Sequence, residues 1–160
     1  MQTKNEAVIE TSMGTIVIDL LPNVAPKTVE NFKKLVSEKF YDGTAFHRVI
    51  PGFMIQGGDP NTRSPNRSEH GKGGPGYTIP AEFSPERHTR GTVSMARRSD
   101  PNSAGSQFFI VIQDASHLDG QYTVFGRVKE GMDVADKIVA VPRDAGDNPT
   151  QPIPLKITLR

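Results

Sequence analysis

The 160-residue chain has no cysteine, which removes disulfides, thiol nucleophiles and cysteine metal ligands at once. It also has little excess charge. Nineteen Lys and Arg against 18 Asp and Glu leave a formal +1, too small a global field to draw in nucleic acid or an anionic membrane. Long apolar runs are missing as well. Glu10 and Asp19 interrupt the apolar residues between positions 1 and 21, so neither a secretory leader nor a membrane span is expected, and a cytoplasmic protein is the default. The four histidines, His47, His70, His88 and His117, stand singly with none at metal-ligand spacing from another. The carboxylates show no matching cluster, so metal catalysis and a bound metal are not expected.

What is present suits one ordinary domain over 1–160, long enough to bury roughly 70% of the surface of the unfolded chain. Fifteen glycines and 13 prolines predict many turns joining short strands. Gly14 to Leu20 alternates, setting Ile16, Ile18 and Leu20 on one side and Thr15, Val17 and Asp19 on the other, as a core strand does. Pro26 followed by Val29, Phe32, Leu35 and Val36, with lysines toward position 39, predicts an amphipathic helix over about 26 to 39. Further strands are expected over Val49 to Gly57, Gly91 to Ala96, Gln107 to Gln113, Tyr122 to Val128 and Ile153 to Leu159, with a second helix over Met132 to Val139. Strands outnumber helices and follow one another without helical crossovers, which predicts a mainly β chain with an antiparallel sheet or barrel.

Residues 58 to 81 have no apolar period and contain four prolines, a long loop that either contacts substrate or is a tolerated insertion. Inside it, Gly71-Lys72-Gly73-Gly74-Pro75-Gly76 has the glycine spacing of a dinucleotide fingerprint. That fingerprint needs a helix N-terminus to receive the pyrophosphate, whereas Tyr77-Thr78-Ile79-Pro80 follows here, so no nucleotide is expected. Gly105-Ser106-Gln107 lacks the second glycine of a nucleophile elbow, and Ser106 reads as a turn residue. The Arg97-Arg98 pair without aromatic interleaving reads as an exposed loop, not a nucleic-acid contact.

Two segments carry more. Phe46-His47-Arg48-Val49-Ile50-Pro51-Gly52-Phe53-Met54-Ile55-Gln56-Gly57-Gly58-Asp59 places one permanent cation and one amide among aromatic and sulfur-bearing side chains, a combination suited to an uncharged, proline-like ligand. Ser94-Met95-Ala96-Arg97 through Gly105-Ser106-Gln107-Phe108-Phe109 has the same chemical character. Together they resemble the signature of the cyclophilin peptidyl-prolyl isomerases. The resemblance implies a closed eight-stranded antiparallel barrel capped by two helices. It also implies an isomerase that needs no cofactor and acts on proline-containing peptides and on unfolded or folding proteins.

Rotation about an X-Pro bond breaks amide resonance and meets a barrier near ~20 kcal/mol, but it makes and breaks no covalent bond. A catalyst has only to favour the twisted imide over both planar forms. In that state the proline nitrogen regains a lone pair, which a guanidinium can meet with a hydrogen bond absent from the ground state. A charge-assisted bond is worth about 1.5–3 kcal/mol, or one to two powers of ten in rate. Gripping the ring and excluding water must supply the rest.

Carried over position by position, the resemblance makes Arg48 the catalytic arginine and Gln56 the polar residue that holds it and the substrate. Phe53, Met54, Phe109 and Leu118 become walls of the proline pocket. Ala96 and Arg97 align with strand-edge residues whose backbone meets the peptide, and Gln107 with an adjacent subsite. Singly, Phe53, Phe109 and Leu118 would each read as barrel core.

This sequence also departs from the family's pattern. His117 stands where many members have the tryptophan that contacts cyclosporin, so weak binding of that drug is expected. Tyr122 stands where many have a histidine near the proline pocket and keeps an aromatic body with a polar tip. The stretch Asp59 to His70 and the run Arg97-Arg98-Ser99-Asp100 are both expanded. A monomer is expected, without nucleic acid or membrane partners. The alternative activity is a proline-segment binding module or holding chaperone with incidental turnover, using the same groove but not the differential stabilisation by Arg48.

Overall fold

The computed structural model describes residues 4–160; residues 1–3, the start of the N-terminal stretch judged above, lie outside the described residues. Eight antiparallel strands and two helices follow one another: β1 (Glu6–Thr11), β2 (Gly14–Leu20), α1 (Pro26–Ser37), β3 (Arg48–Ile50), β4 (Met54–Gly57), β5 (Thr92–Met95), β6 (Phe108–Val111), β7 (Val124–Glu130), α2 (Met132–Val139) and β8 (Leu155–Leu159). They form one sheet in the order β3-β4-β6-β5-β7-β2-β1-β8. The mainly β architecture and both helices agree with the sequence reading.

The ends of the sheet meet without a β3–β8 ladder. Segment 43–46, which leads into β3, bonds to 153–155, which leads into β8: Leu155 N–H donates to Thr44 at 2.8 Å and Phe46 N–H to Ile153 at 3.2 Å. Ala45 faces Pro154 in an isolated bridge. Pro152 and Pro154 have no N–H to donate, which interrupts a longer ladder here.

Four local expectations are revised. β1 was not anticipated; its buried Ala7 and Ile9 alternate with Glu6 and Glu10, and it lies between β2 and β8. The single strand over Val49 to Gly57 is two strands, because Pro51-Gly52 turns the chain, with Gly52 at φ +76° and Phe53 N–H donating to Ile50. Val17, assigned to the outer side, is buried like its neighbours. α1 stops at Ser37 instead of 39, since Lys39 adopts a left-handed φ of +60°.

The interior is aromatic at its centre. Phe32 of α1 packs with ring centroids 5.1 Å from Phe125, 5.3 Å from Tyr41 and 6.0 Å from Phe108. α2 adds Val134, Ala135, Ile138 and Val139 to the same cluster. Fully burying a side chain such as Phe contributes about 1.5–3 kcal/mol. The N-terminus of α1 is capped from far along the chain: the Glu82 carboxylate accepts from the N–H of Thr28 at 2.6 Å and from its hydroxyl at 2.8 Å.

Candidate active site

Strand alternation separates the candidate site from the core. In β4, Ile55 joins the interior cluster while Met54 joins a second apolar cluster; in β6, Phe108 and Ile110 go inward while Phe109 and Val111 go to the second cluster. Ladder register then aligns Arg48 with Gln56 and Gln56 with Phe109, so one row crosses β3, β4 and β6 on the outer face. Phe109 and Leu118 are therefore buried without being barrel core. Ala115, Leu118, Ile50, Phe53, Ala96 and Tyr122 complete the outer cluster.

Over this cluster opens a pocket of about 110 Å³ lined by Arg48, Phe53, Met54, Gln56, Ala96, Arg97, Phe109, Leu118 and Tyr122. It is well below the ~300 Å³ of drug-sized sites and has room for one small ring. The sequence-expected site residues outside its lining are Gln107 and His117. Gln107 lines the neighbouring cavity, and His117 is exposed with its ring 5.6 Å from that of Phe53.

The polar groups form a chain. Arg48 reaches Gln56 Oε1 at 3.5 Å, the limit of a hydrogen bond. Gln56 Nε2 donates to Gln107 Oε1 at 3.0 Å, and Gln107 Nε2 donates to the carbonyls of Gly71 at 3.0 Å and Gly73 at 2.9 Å. These bonds fix the orientation of both amides. One sequence expectation needs correction here: Arg48 does not sit buried among apolar groups but is exposed at the rim, because alternation along the edge strand β3 turns it to the outer face while Val49 goes inward. Its charge is loosely held and open to an incoming ligand, which would itself supply the dry cover.

The long loop contributes two short 3-10 turns, Pro60–Arg63 and Arg67–Glu69. No helix opens at its glycine run among the described residues. Fully buried Asp59 organises it, accepting from the N–H groups of Asn61 at 2.8 Å and Gly71 at 2.5 Å. The same Gly71 presents its carbonyl to Gln107. Ser106, read as a turn residue, is buried and donates its hydroxyl to Gly58 at 2.7 Å.

Sequence reasoning missed His88, which the fold places beneath the pocket. Its ring stacks on Phe109 with centroids 6.0 Å apart and planes at 18°, and Tyr122 stands edge-on to Phe109 at 5.7 Å. Burial lowers the His88 pKa, against the pull of Asp119. Nδ1 lies 3.2 Å from the Asp119 carboxylate, and Nε2 lies 2.9 Å from the Ser94 hydroxyl, whose own proton goes to the Thr123 carbonyl at 2.9 Å. A lone histidine between Arg87 and Thr89 gives no sign of this, since its partners lie 6 and 31 residues away. His47, next to Arg48, is also buried, and its pKa falls to about 4, chiefly through burial and despite nearby Asp59. Its Nδ1 has no hydrogen-bond partner among the described residues. Arg97 lies over the Tyr122 ring, 4.6 Å from its centroid, and donates Nε–H to the Gln121 carbonyl at 2.9 Å.

Among the described residues, no three His, Cys, Asp or Glu side chains come together in a group able to hold a metal ion, and no helix is long and apolar enough to cross a membrane.

These features define a β-barrel-like protein with an external apolar pocket, a guanidinium at its rim and an amide chain behind it. The family model described as "Cyclophilin type peptidyl-prolyl cis-trans isomerase/CLD" matches residues 7–158, and the chain belongs to that family. A "Probable peptidyl-prolyl cis-trans isomerase" of Brucella suis is 49% identical over 140 residues, covering 84% of this chain and 71% of the relative. A "Peptidyl-prolyl cis-trans isomerase" of Synechococcus elongatus is 49% identical over 125 residues, covering 78% and 81%. Among solved structures, a cyclophilin type peptidyl-prolyl cis-trans isomerase of Cryptosporidium parvum superposes with a TM-score of 0.90 at 32% identity, covering 99% of this chain and 98% of that one. A structure of that protein in the presence of the dipeptide Ala-Pro gives a TM-score of 0.88 at 34% identity, covering 97% and 98%.

Proposed function

We propose that this chain is a peptidyl-prolyl cis-trans isomerase in which Arg48 stabilises the twisted imide while the outer apolar cluster grips the proline ring. The observation that carries this reading is a free guanidinium at the rim of a pocket sized for one small ring, opposite an anchored amide. Phe53, Met54, Phe109, Leu118 and Tyr122 enclose the ring; the backbone at Ala96 and Arg97 meets the peptide beside it, and Gln107 lines the adjoining subsite. His117 borders the pocket through Phe53.

When a peptide covers Arg48, water leaves the guanidinium and the bond to the re-formed nitrogen lone pair strengthens. That bond exists only near the transition state, so it speeds exchange without tightening ground-state binding. Gln56 limits the positions Arg48 can take and offers its own amide to the substrate. No proton is transferred and no covalent intermediate forms.

The substrates are proline-containing peptides and folding proteins; residues 1–160 act as one domain, as a monomer in the cytoplasm, without nucleic acid or membrane partners. Cyclosporin binds weakly, because the exposed imidazole of His117 offers less apolar area than an indole. The test is exchange NMR on a short Ala-Pro peptide with catalytic amounts of the protein. Cis/trans exchange well above the uncatalysed rate is expected. Peptide binding without faster exchange would replace this reading with that of a proline-segment binding module.

A further inference from the structure

A second cavity, of about 480 Å³, adjoins the proline pocket and shares Gln56, Ala96 and Arg97 with it. The glycine-rich segment 71–76 forms much of its wall. Three of its lining residues, Lys72, Arg97 and Arg98, are cations, and none is a carboxylate. Nor are these cations neutralised from elsewhere. Among the described residues the ion pairs use Arg67, Arg90, Arg127, Lys129, Arg143, Arg160 and His88, and none uses Lys72, Arg97 or Arg98.

The two guanidiniums donate only to neutral carbonyls: Arg97 to those of Gln121, Arg98 and Ser99, and Arg98 to that of Lys72 at 3.2 Å. These bonds hold the cationic groups in place without cancelling their charge. One negative group lies behind the wall, the buried Asp59 carboxylate, with its oxygens already bonded to Asn61 and Gly71. Asp100 shares the Arg98 loop but does not line the cavity, and its carboxylate accepts from Asn102. With three lining cations and no lining carboxylate the cavity wall is positive, and a concave wall concentrates that field.

We propose that Lys72, Arg97 and Arg98 make this adjoining subsite select substrates with an acidic side chain, carboxylate or phosphate, within two or three residues of the proline. The inference rests on the isomerase reading, in which the neighbouring pocket holds the proline ring. Because the two cavities share walls, an extended peptide advancing about 3.3–3.6 Å per residue would carry a near neighbour of proline from one into the other. Exposed charge pairs are individually weak, so selection is modest and salt-sensitive.

The test uses short peptides with Glu, Gln or Lys placed two residues before or two after the proline, with exchange rates and Kd read by NMR on the same samples. Glu over Gln by about three- to tenfold in kcat/KM is expected at one of the two positions in low salt, with Lys below Gln. At 0.5 M NaCl the ratio should fall toward one, and the Lys72→Gln/Arg98→Gln double variant should show the same loss in low salt. Ratios near one at both positions would overturn the proposal, as would a preference insensitive to both salt and the double variant. If no peptide exchanges faster with protein present, the isomerase reading fails, and the Kd ratio for Glu against Gln still decides the subsite.

Discussion

Gln56, which lines both the proline pocket and the neighbouring cavity, donates its Nε2–H to the Oε1 of Gln107 at 3.0 Å. Gln107 spends its own Nε2 on the carbonyls of Gly71 and Gly73, so the orientation of Gln56 is tied to the long loop. Gln107→Ala removes both ties and should lower kcat/KM about three- to tenfold, the size of one or two lost hydrogen bonds. Gln107→Glu should cost at least as much at neutral pH, because a carboxylate cannot donate to the glycine carbonyls. Rates within twofold of native for both variants would show that the amide chain does not position Gln56.

His47 makes stability depend on pH. Burial holds its folded pKa at about 4, against about 6.5 in an unfolded chain, so between these values the unfolded state binds more protons. Stability from this residue is therefore complete above about pH 6.5 and is lost as pH falls toward 4. Going from pH 7 to 4.5 should cost about 2 kcal/mol through His47 alone. Urea midpoints at the two pH values, compared with His47→Gln, check this: the variant should show a smaller acid loss. Equal losses in both proteins would place the acid sensitivity elsewhere.

Gly58 links β4 to the loop at a φ of +95°, and a Cβ there would lie 2.5 Å from the Ser106 carbonyl oxygen. Both the left-handed backbone and the contact disfavour any side chain. Gly58→Ala should destabilise the fold by about 2 kcal/mol or more, read as a lower denaturant midpoint. An unchanged midpoint would mean the backbone relaxes around the methyl group.

His117 is exposed and stacks at a tilt on Phe53. His117→Trp adds apolar area and an indole N–H at the pocket edge, so cyclosporin should bind at least tenfold more tightly in a calorimetric titration. Tight, nanomolar binding to the native protein would contradict the role given to His117.

Much of this molecule is legible in its sequence, and the exceptions have physical causes. α2 runs over Met132–Val139 as expected because its apolar spacing is helical and glycine precedes it. The Pro51-Gly52 turn was in plain view as a dipeptide, yet the apolar residues on both sides read as one strand. β1 was obscured by its glutamates, although Ala7 and Ile9 alternate with them. The residues lining the pocket came from motif resemblance, and ladder register explains why they gather: Arg48, Gln56 and Phe109 occupy one row. His88 and Asp59 were not legible in those roles. Each acts through partners that only tertiary structure brings near.

In the proposed mechanism Arg48 acts on the twisted imide and not on the bound ground state. Arg48→Ala should reduce catalysed Ala-Pro exchange about ten- to a hundredfold while peptide Kd, from chemical-shift titration, changes by less than about threefold. A variant that loses binding and rate in equal proportion, or keeps the native rate, would contradict it.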